Sequence, residues 1–403
     1  MNHENILRWI RNSENSGMEF KRDDIRSEQL AKEIVALLNF KGGKILLGVE
    51  DDGSISGITR PSPEEWVMNV CSDIVHPRII PYYEEIQMGD KRVAVISVDM
   101  GISKPYVMRH GKGENIYIRV GSTSRLATRE EQMRLFQEGG FLHVEILPVP
   151  GTCFANLDLR RLSDYFGRVR RLIPLPNTDE DWSQLLINME YMSAHEGSEP
   201  LCTIAGLLLF GRRPGRFLRQ AGLEWIVFPG TEKDYDTRDR AGLDGPLTAL
   251  WDENGEQIED GLLDLLMNKV RQHASQEKLA ENQLTRVVQW DFAPEAVREA
   301  VVNAFAHRDW TRPANVEVSL YSDRMEIISP GPLPNHVTVE RMKQGLRIPR
   351  NPILIQTLKD YGYVEYMGMG VRNKIIAGMK KHNGTEPEFV ADEFQVLVRL
   401  LKE

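Results

Sequence analysis

Ionisable residues near the start of the chain are of types that could together hold a divalent metal ion. Glu14 and Glu19 are five residues apart, Lys21 follows at once, and Glu50 and Asp51 form an acidic pair further along. Carboxylate oxygens are the ligands that Mg²⁺ and Mn²⁺ prefer, and such an ion polarises a phosphoryl group and activates water. Alternatively, these acids are surface residues at turns. For Lys21 there are also two readings: it either pairs with the phosphate that is cut or neutralises the acids.

The elements between these residues are expected to bring the acids to one end of a small sheet. Residues 30–38 have the spacing of an amphipathic helix, and the apolar run at 45–49 predicts a buried strand. The dipeptide Asp52-Gly53 predicts a hairpin with a return strand over 54–58. Successive side chains of a regular strand point to opposite faces, so only one acid of the Glu50-Asp51 pair can face Glu19.

A second group of polar residues lies in the C-terminal part of the chain. A helix is predicted over 294–310 because proline occupies its first turn. Glu299, Asn303 and His307 recur every four residues and therefore line one face. This face is either a functional site or a polar stripe on a core helix. Two strands are predicted next, over 316–321 and 324–329.

The segment from Glu14 to Thr123 resembles the Schlafen AlbA-type (AlbA_2) family. The matching pieces are Glu-x4-Glu-Phe-Lys, Gly-Gly-x-x-Leu-Leu-Gly-Val-x-Asp-Asp-Gly and Tyr-Ile-Arg-Val-Gly-Ser-Thr. The resemblance implies nucleic-acid handling: some members cut RNA or DNA with three carboxylates and a divalent metal, and others are known only as transcriptional regulators. Because the family motif keeps an aspartate at the position of Asp51, the expected metal ligands are Glu14, Glu19 and Asp51, with Lys21 beside them.

The C-terminal part resembles the divergent Bergerat-fold (GHKL-type) ATP-binding domain. In that family an acid and an asparagine one turn apart hold catalytic water and magnesium, and these roles map to Glu299 and Asn303. Glycine boxes whose backbone amides approach phosphates map to Gly331, Gly368 and Gly370. The resemblance implies ATP as cofactor, although Ser329-Pro330-Gly331 lacks the aspartate that recognises adenine in the first box.

A chain of 403 residues is too long for one ordinary core, so several domains are expected. The predicted class is α+β multidomain. It comprises a Schlafen-AlbA-like mixed domain over 1–146 with four to six strands, a middle α/β region over 152–284, and a Bergerat-like α/β sandwich over 285–403. In the middle region, periodicity leaves the apolar run 203–210 undecided between helix and strand, and 230–245 is expected to be a loop.

Charge and composition restrict the classes of partner and the cellular location that the sequence allows. The formal net charge is −9, whereas a passive coater of duplex would be basic. Local basic runs can override this field; Arg168, Arg170 and Arg171 form one, and Arg212, Arg213, Arg216 and Arg219 form another. Each run either contacts phosphate or is a solvated face.

The three cysteines have no zinc or disulfide spacing. No apolar run approaches the ~20 residues of a membrane span, and no export signal is recognised, so a cytoplasmic protein is expected.

These observations predict a protein that acts on nucleic acid. The enzyme hypothesis is a Mg- or Mn-dependent endonuclease that cuts RNA (tRNA-like) or DNA under the control of ATP. The alternative is a non-enzymatic, ATP-responsive DNA-binding transcriptional regulator, against which the lack of a recognisable C-terminal helix-turn-helix counts modestly. Phage defence is implied only by the first family, and a homo-oligomer by dimers among relatives of both domains.

Overall fold

The computed structural model describes the residues listed at the end of this paragraph. They divide into two compact units, Met1–Leu142 (unit 1) and His143–Glu403 (unit 2). No helix within them is long and apolar enough to cross a membrane. The described residues are 3–111, 113–195, 197–279, 286–334, 337–346, 348–364 and 369–403.

Unit 1 is a mixed α+β fold. Its helices are α1 (His3–Arg11), α2 (Ser27–Asn39), α3 (Pro63–Asp73) and α4 (Arg129–Glu138). Its strands are β1 (Met18–Lys21), β2 (Gly43–Leu47), β3 (Val75–His76), β4 (Tyr82–Met88), β5 (Lys91–Val98), β6 (Val107–His110), β7 (Gly113–Asn115), β8 (Tyr117–Val120) and β9 (Thr123–Leu126).

The central sheet of unit 1 has the strand order β1-β2-β5-β4, with β1 and β2 parallel and the other pairs antiparallel. Apolar side chains cover both of its faces. Ile45 and Leu47 pack in the cluster that contains α2, whereas Leu46 packs with Ile6 and Phe20 on the side of α1. Burial of both faces explains why β2 is a continuous apolar run rather than an alternating one.

Three expectations for unit 1 are wrong. Strand β2 ends at Leu47 rather than continuing to Val49, and no return strand spans 54–58; only an isolated bridge joins Val49 and Ile55. The cause is Gly48, whose φ of +90° ends the regular strand. The strands also outnumber the four to six expected, because pieces of two to four residues carry too little periodicity to be recognised.

Unit 2 takes up the remainder of the chain. Its helices are α5 (Leu159–Ser163), α6 (Asp179–Asn188), α7 (Ile204–Phe210), α8 (Pro214–Phe217), α9 (Leu262–His273), α10 (Pro294–His307), α11 (Val339–Lys343), α12 (Pro352–Asp360) and α13 (Ala377–Asn383). Its strands are β10 (Met192–His195), β11 (Ser198–Cys202), β12 (Leu223–Val227), β13 (Asp239–Leu243), β14 (Leu250–Trp251), β15 (Gln257–Glu259), β16 (Ser275–Leu279), β17 (Arg286–Trp290), β18 (Val316–Leu320), β19 (Arg324–Pro330), β20 (Glu388–Ala391) and β21 (Gln395–Leu401).

The main sheet of unit 2 has the strand order β13-β12-β18-β19-β21-β20. Strand β12 pairs in parallel with β18, so the predicted middle region and the predicted C-terminal domain contribute to the same sheet. The division between residues 284 and 285 stays a prediction. The undecided run 203–210 forms helix α7, and the expected loop 230–245 contains strand β13, whose polar sequence hid its pairing with β12.

Candidate functional site

Glu19 is held between two cations at the centre of the predicted N-terminal site. Met18 and Phe20 pack in the core cluster on the side of α1, so Glu19 and Lys21 share the opposite face of β1. One carboxylate oxygen of Glu19 pairs with Lys21 Nζ, and the other lies 2.5 Å from Arg119 Nη2. Glu19 is only 4% exposed. Its two oxygens are therefore both engaged before any metal binds.

Glu14 lies close enough to both Glu19 and Asp51 to interact electrostatically with them. Glu14 Oε1 accepts a hydrogen bond from the backbone N–H of Phe20 at 2.8 Å, which fixes the carboxylate beside β1. Burial raises the pKa of Glu14, and the negative charges of Glu19 and Asp51 add to this rise. Burial acts to lower the pKa of Lys21, but its hydrogen bond to Glu19 and the charges of Glu19, Glu33 and Glu14 raise it overall.

The sequence did not reveal the buried residues that hold Glu19 in place. The Arg119 side chain is fully buried and also donates from Nη1 to Glu33 Oε2 at 3.1 Å and to Ser124 Oγ at 3.2 Å. Ser124 Oγ in turn donates to Glu33 Oε2 at 2.5 Å. Glu33 stands on the buried side of α2, and a charge among apolar positions of a helix is the signal that could have revealed it.

The turn after β2 separates the two candidates for the third acid. Glu50 lies 3.6 Å from Arg22 Nε and forms an ion pair with it. Asp51 is exposed and contributes to the raised pKa of Glu14. Asp52 Oδ1 accepts from the N–H of Ser54 at 2.8 Å, which ties it to the turn. Because the strand ends at Leu47, strand alternation does not apply here, and the choice of Asp51 rests on its coupling to Glu14.

The donor set has the chemistry of a divalent metal site. The positive charges of Lys21 and Arg119 balance the negative charges of Glu19 and Glu33. The negative charges of Glu14 and Asp51 are therefore in excess. Carboxylates that repel one another in this way favour a divalent ion, which prefers oxygen ligands. Within the described ranges, however, no three or more His, Cys, Asp or Glu side chains are already arranged around one ion position.

The C-terminal candidate residues meet at a cavity of about 110 Å³ beside α10. Its walls are mostly apolar, with Glu299 and Asn303 on one side. Asn303 Nδ2 donates to Glu299 Oε1 at 3.1 Å, and Lys374 Nζ lies 3.7 Å from Glu299 Oε2. Gly370 packs so closely that a Cβ there would collide with the Glu299 carboxylate.

The two glycine boxes are placed differently. Gly331 has φ of +104°, and a Cβ at this position would collide with Asp309, so the fold itself requires this glycine. Gly368 lies outside the described residues. Ser329, which stands where the adenine-reading aspartate is missing, donates its hydroxyl to the carbonyl of Ala304 at 2.8 Å.

The residues around this cavity do not fit Mg-ATP as they stand. Ligand sites usually enclose roughly 300–1,000 Å³, well above the 110 Å³ found here. The carboxylate of Glu299 is already contacted by Asn303, Lys374 and Gly370. We therefore derive no catalytic step through ATP.

Comparison with known proteins defines the two parts of the chain. Residues 14–128 match the family described as Schlafen, AlbA_2. Residues 314–400 match the family described as the C-terminal domain of a putative ATP-dependent DNA helicase recG. The chain thus carries an N-terminal Schlafen AlbA_2 domain and a C-terminal recG-type, ATPase-like domain, as its motifs predicted. Domains of these kinds are typical of nucleic-acid-related proteins.

Solved structures provide two further likenesses, and a search of curated proteins found no match. The crystal structure of the DIP2311 protein from Corynebacterium diphtheriae is 21% identical, with 96% of this chain and 75% of that chain covered and a TM-score of 0.45. The solution structure of the N-terminal domain of a putative ATP-dependent DNA helicase RecG-related protein from Nitrosomonas europaea is 22% identical. It covers 31% of this chain and 92% of that chain, with a TM-score of 0.25.

Proposed function

We propose that unit 1 is a metal-dependent endonuclease that cuts RNA or DNA. The observation that carries this proposal is the electrostatic interaction of Glu14 with both Glu19 and Asp51, acids that come from two separate stretches of the chain. These three carboxylates would hold Mg²⁺ or Mn²⁺, and the bound ion would polarise a phosphodiester and activate water. The match to the Schlafen AlbA_2 family supports the same assignment.

Two cations, Arg119 and Lys21, each contact one oxygen of the Glu19 carboxylate. Arg119 is fully buried and makes further bonds to the carbonyls of Asn15 and Met18, at 2.9 and 3.2 Å, so it stays in place. Lys21 is partly exposed and makes its contact at the other oxygen of Glu19. With a metal ion and nucleic acid bound, Lys21 would be free to donate to a phosphate oxygen, while Arg119 would keep the Glu19 carboxylate in its orientation.

We expect cleavage to require Glu14 and Glu19 together with a divalent ion. Glu14→Gln and Glu19→Gln each keep the side-chain shape but remove a charged ligand, so turnover should fall at least ~100-fold, the scale of a lost catalytic group. The measurement is cleavage of RNA, single-stranded DNA and duplex DNA by the full chain, with Mn²⁺ and with a chelator.

The matched control is Glu65→Gln, which changes an exposed glutamate on α3 and should leave turnover unchanged. Undiminished cleavage by a Glu14→Gln, Glu19→Gln double variant would contradict the assignment of this site. Thermal unfolding of each variant separates lost chemistry from lost folding.

A non-cleaving nucleic-acid-binding protein is the second candidate function. The observation that favours it is the engagement of both Glu19 oxygens by Lys21 and Arg119, which leaves no preformed ion position among the described side chains. The same assay decides between the two candidate functions: retention of a labelled strand without cleavage under every metal condition would support the non-cleaving role.

A response to ATP is compatible with both candidate functions, and its basis is the ATPase-like domain. Defence against phage extends the first candidate; plaque counts on cells carrying the wild type or Glu19→Gln would test it.

A further inference from the structure

Unit 2 contains a polar cleft that is separate from the cavity at Glu299. The cleft holds about 660 Å³, which is within the usual size of a small-ligand site and six times the volume of the Glu299 cavity. It is lined by three arginines, Arg168, Arg171 and Arg298, and by the aromatic rings of Trp251, Tyr361 and Tyr363. Neither family resemblance assigns a role to these residues.

Arg171 is held in a conformation that arginine rarely adopts. Its φ is +55°, in the left-handed region that favours glycine. The residue lies just after the π-helical turn Asp164–Val169, where Arg170 N–H and Leu172 N–H donate to the carbonyls of Tyr165 and Phe166, both at 2.8 Å. Left-handed non-glycine residues cluster at functional sites. The strained position sets an arginine at the edge of the cleft.

The guanidinium groups of the cleft differ in how far they are already satisfied. Arg168 donates to Asp164 at 2.6 Å, so its charge is balanced. Arg298 is exposed on α10, with its guanidinium carbon 4.8 Å from the ring centroid of Tyr363. Within the described ranges, neither Arg171 nor Arg298 has a carboxylate at ion-pairing distance.

The cleft also contains carboxylates, those of Asp264, Glu295 and Asp360. Asp360 accepts from Tyr165 OH at 2.7 Å and from Arg170 at 3.0 Å. Asp264 accepts from the N–H of Gly261 at 3.0 Å; burial raises its pKa, and its electrostatic interaction with Arg298 partly offsets that rise. Glu295 is the acid of the lining that stays exposed. Arg171 and Arg298 nevertheless have no ion-paired carboxylate among the described residues, so their guanidinium groups can bind an anion.

We propose that this cleft binds a nucleotide, with its phosphate between Arg171 and Arg298 and its base against Trp251. Planar guanidinium groups match the geometry of phosphate oxygens. Aromatic side chains stack on any base, which makes such a site tolerant of base identity. The nucleotide comes either from free nucleoside phosphate or from a single nucleic-acid strand, since both present the same groups.

Binding of three probes to the full chain in chelator-containing buffer, measured by calorimetry, tests the proposal without involving the metal site. AMP should bind, and ribose 5-phosphate should bind about tenfold more weakly because it lacks the stacking base. A 5′-phosphorylated five-nucleotide single strand distinguishes the source: tighter binding than AMP identifies a strand, and weaker binding identifies free nucleotide. If neither AMP nor the strand binds at millimolar concentration, the proposal is wrong.

Substitutions locate the binding and separate it from folding. Arg171→Gly relieves the left-handed strain, so the variant should melt no lower than the wild type and yet bind the preferred probe about tenfold more weakly. Glu190→Gly is the matched control: Glu190 has φ of +63° and is exposed, and its replacement should leave binding unchanged. Arg298→Gln should weaken binding like Arg171→Gly.

Asn303→Ala tests the competing location at the Glu299 cavity and should leave binding of the preferred probe unchanged. Loss of binding in Asn303→Ala with full binding in both arginine variants would place the nucleotide at the Glu299 cavity and overturn the proposal. Because no metal is present and no bond is cut, these results do not depend on whether unit 1 cleaves nucleic acid.

Discussion

Glu19 and Glu14 differ in how firmly the fold holds them. Glu19 is buried and contacted by two cations, whereas Glu14 is half-buried and has a pKa raised by burial and by its acidic neighbours. A raised carboxylate pKa means that the proton is held more tightly in the folded state. Binding of a divalent ion would reverse this effect, because the positive charge favours the ionised form. Glu14 would therefore lose its proton most easily when a divalent ion is bound beside it.

Asp51 rather than Glu50 is expected to complete the metal site. Asp51 interacts electrostatically with Glu14, whereas Glu50 pairs with Arg22. Asp51→Asn should therefore reduce Mn²⁺-dependent cleavage by about 100-fold, while Glu50→Gln should retain most activity. Initial rates on the preferred substrate provide the measurement.

Asp90→Asn, in the exposed turn between β4 and β5, is the control for a generic loss of surface charge. Both Asp51→Asn and Glu50→Gln should melt close to the wild type, because neither side chain is buried. An inactive Glu50→Gln with an active Asp51→Asn would show that the turn rearranges when metal binds.

Elements with a clear hydrophobic period were predictable, and those decided by a single backbone angle were not. The helix preceding the first glycine turn and the helix that carries Glu299 and Asn303 follow from their spacing. The return strand did not form, because Gly48 takes a positive φ and Ser56 and Gly57 donate instead to its carbonyl. Likewise, the ion pair between Glu33 and Arg119 joins residues far apart in the chain, which local periodicity cannot show.

Helix α12 has a titratable cap that should make the stability of unit 2 depend on pH. Glu145 is fully buried and accepts hydrogen bonds from the N–H groups of Ile353 and Leu354, at 2.7 and 2.8 Å. Burial raises its pKa from 4.5 to about 7, against the lowering effect of those hydrogen bonds. The stabilising proton is thus fully bound below pH 4.5 and is lost as the pH rises through about 7, at a cost on the order of 3 kcal/mol.

Glu145→Gln removes this titration, so the variant should gain stability relative to the wild type between pH 5 and pH 8. Thermal unfolding of both proteins at the two pH values measures the difference. Glu199→Gln, an exposed position on β11, should show no such pH-dependent gain. Parallel curves for wild type and Glu145→Gln would mean that Glu145 is ionised throughout this range.

Across the whole chain, motifs predicted the order of the two family domains, whereas the pairing of distant strands could not be predicted from motifs. Motifs are local, whereas compactness depends on pairings between distant segments. The end of the first domain at residue 146 stays a prediction; Glu145, which caps α12, lies in unit 2. The predicted middle region supplies β12 and β13 to the sheet that the C-terminal strands complete.

We expect the full chain to self-associate into a closed, symmetric homo-oligomer, the form that most soluble oligomers take. Light scattering should then give at least about twice the monomer mass of 46.1 kDa at micromolar concentration. Raising the salt concentration tests whether the association is electrostatic, because screening weakens contacts between exposed charges. A mass of 46.1 kDa at every micromolar concentration would contradict self-association.

The parallel pairing of β12 with β18 also determines when this protein can finish folding on the ribosome. Strand β12 carries Trp225, which is fully buried in the finished sheet, and can form its hairpin with β13 as soon as both emerge. Its other edge stays open until β18 has been synthesised, and β21 enters the sheet later still. An open apolar strand edge invites pairing with other chains, and long-range pairings form slowly. During that interval the edge of β12 that β18 later covers is open to such pairing.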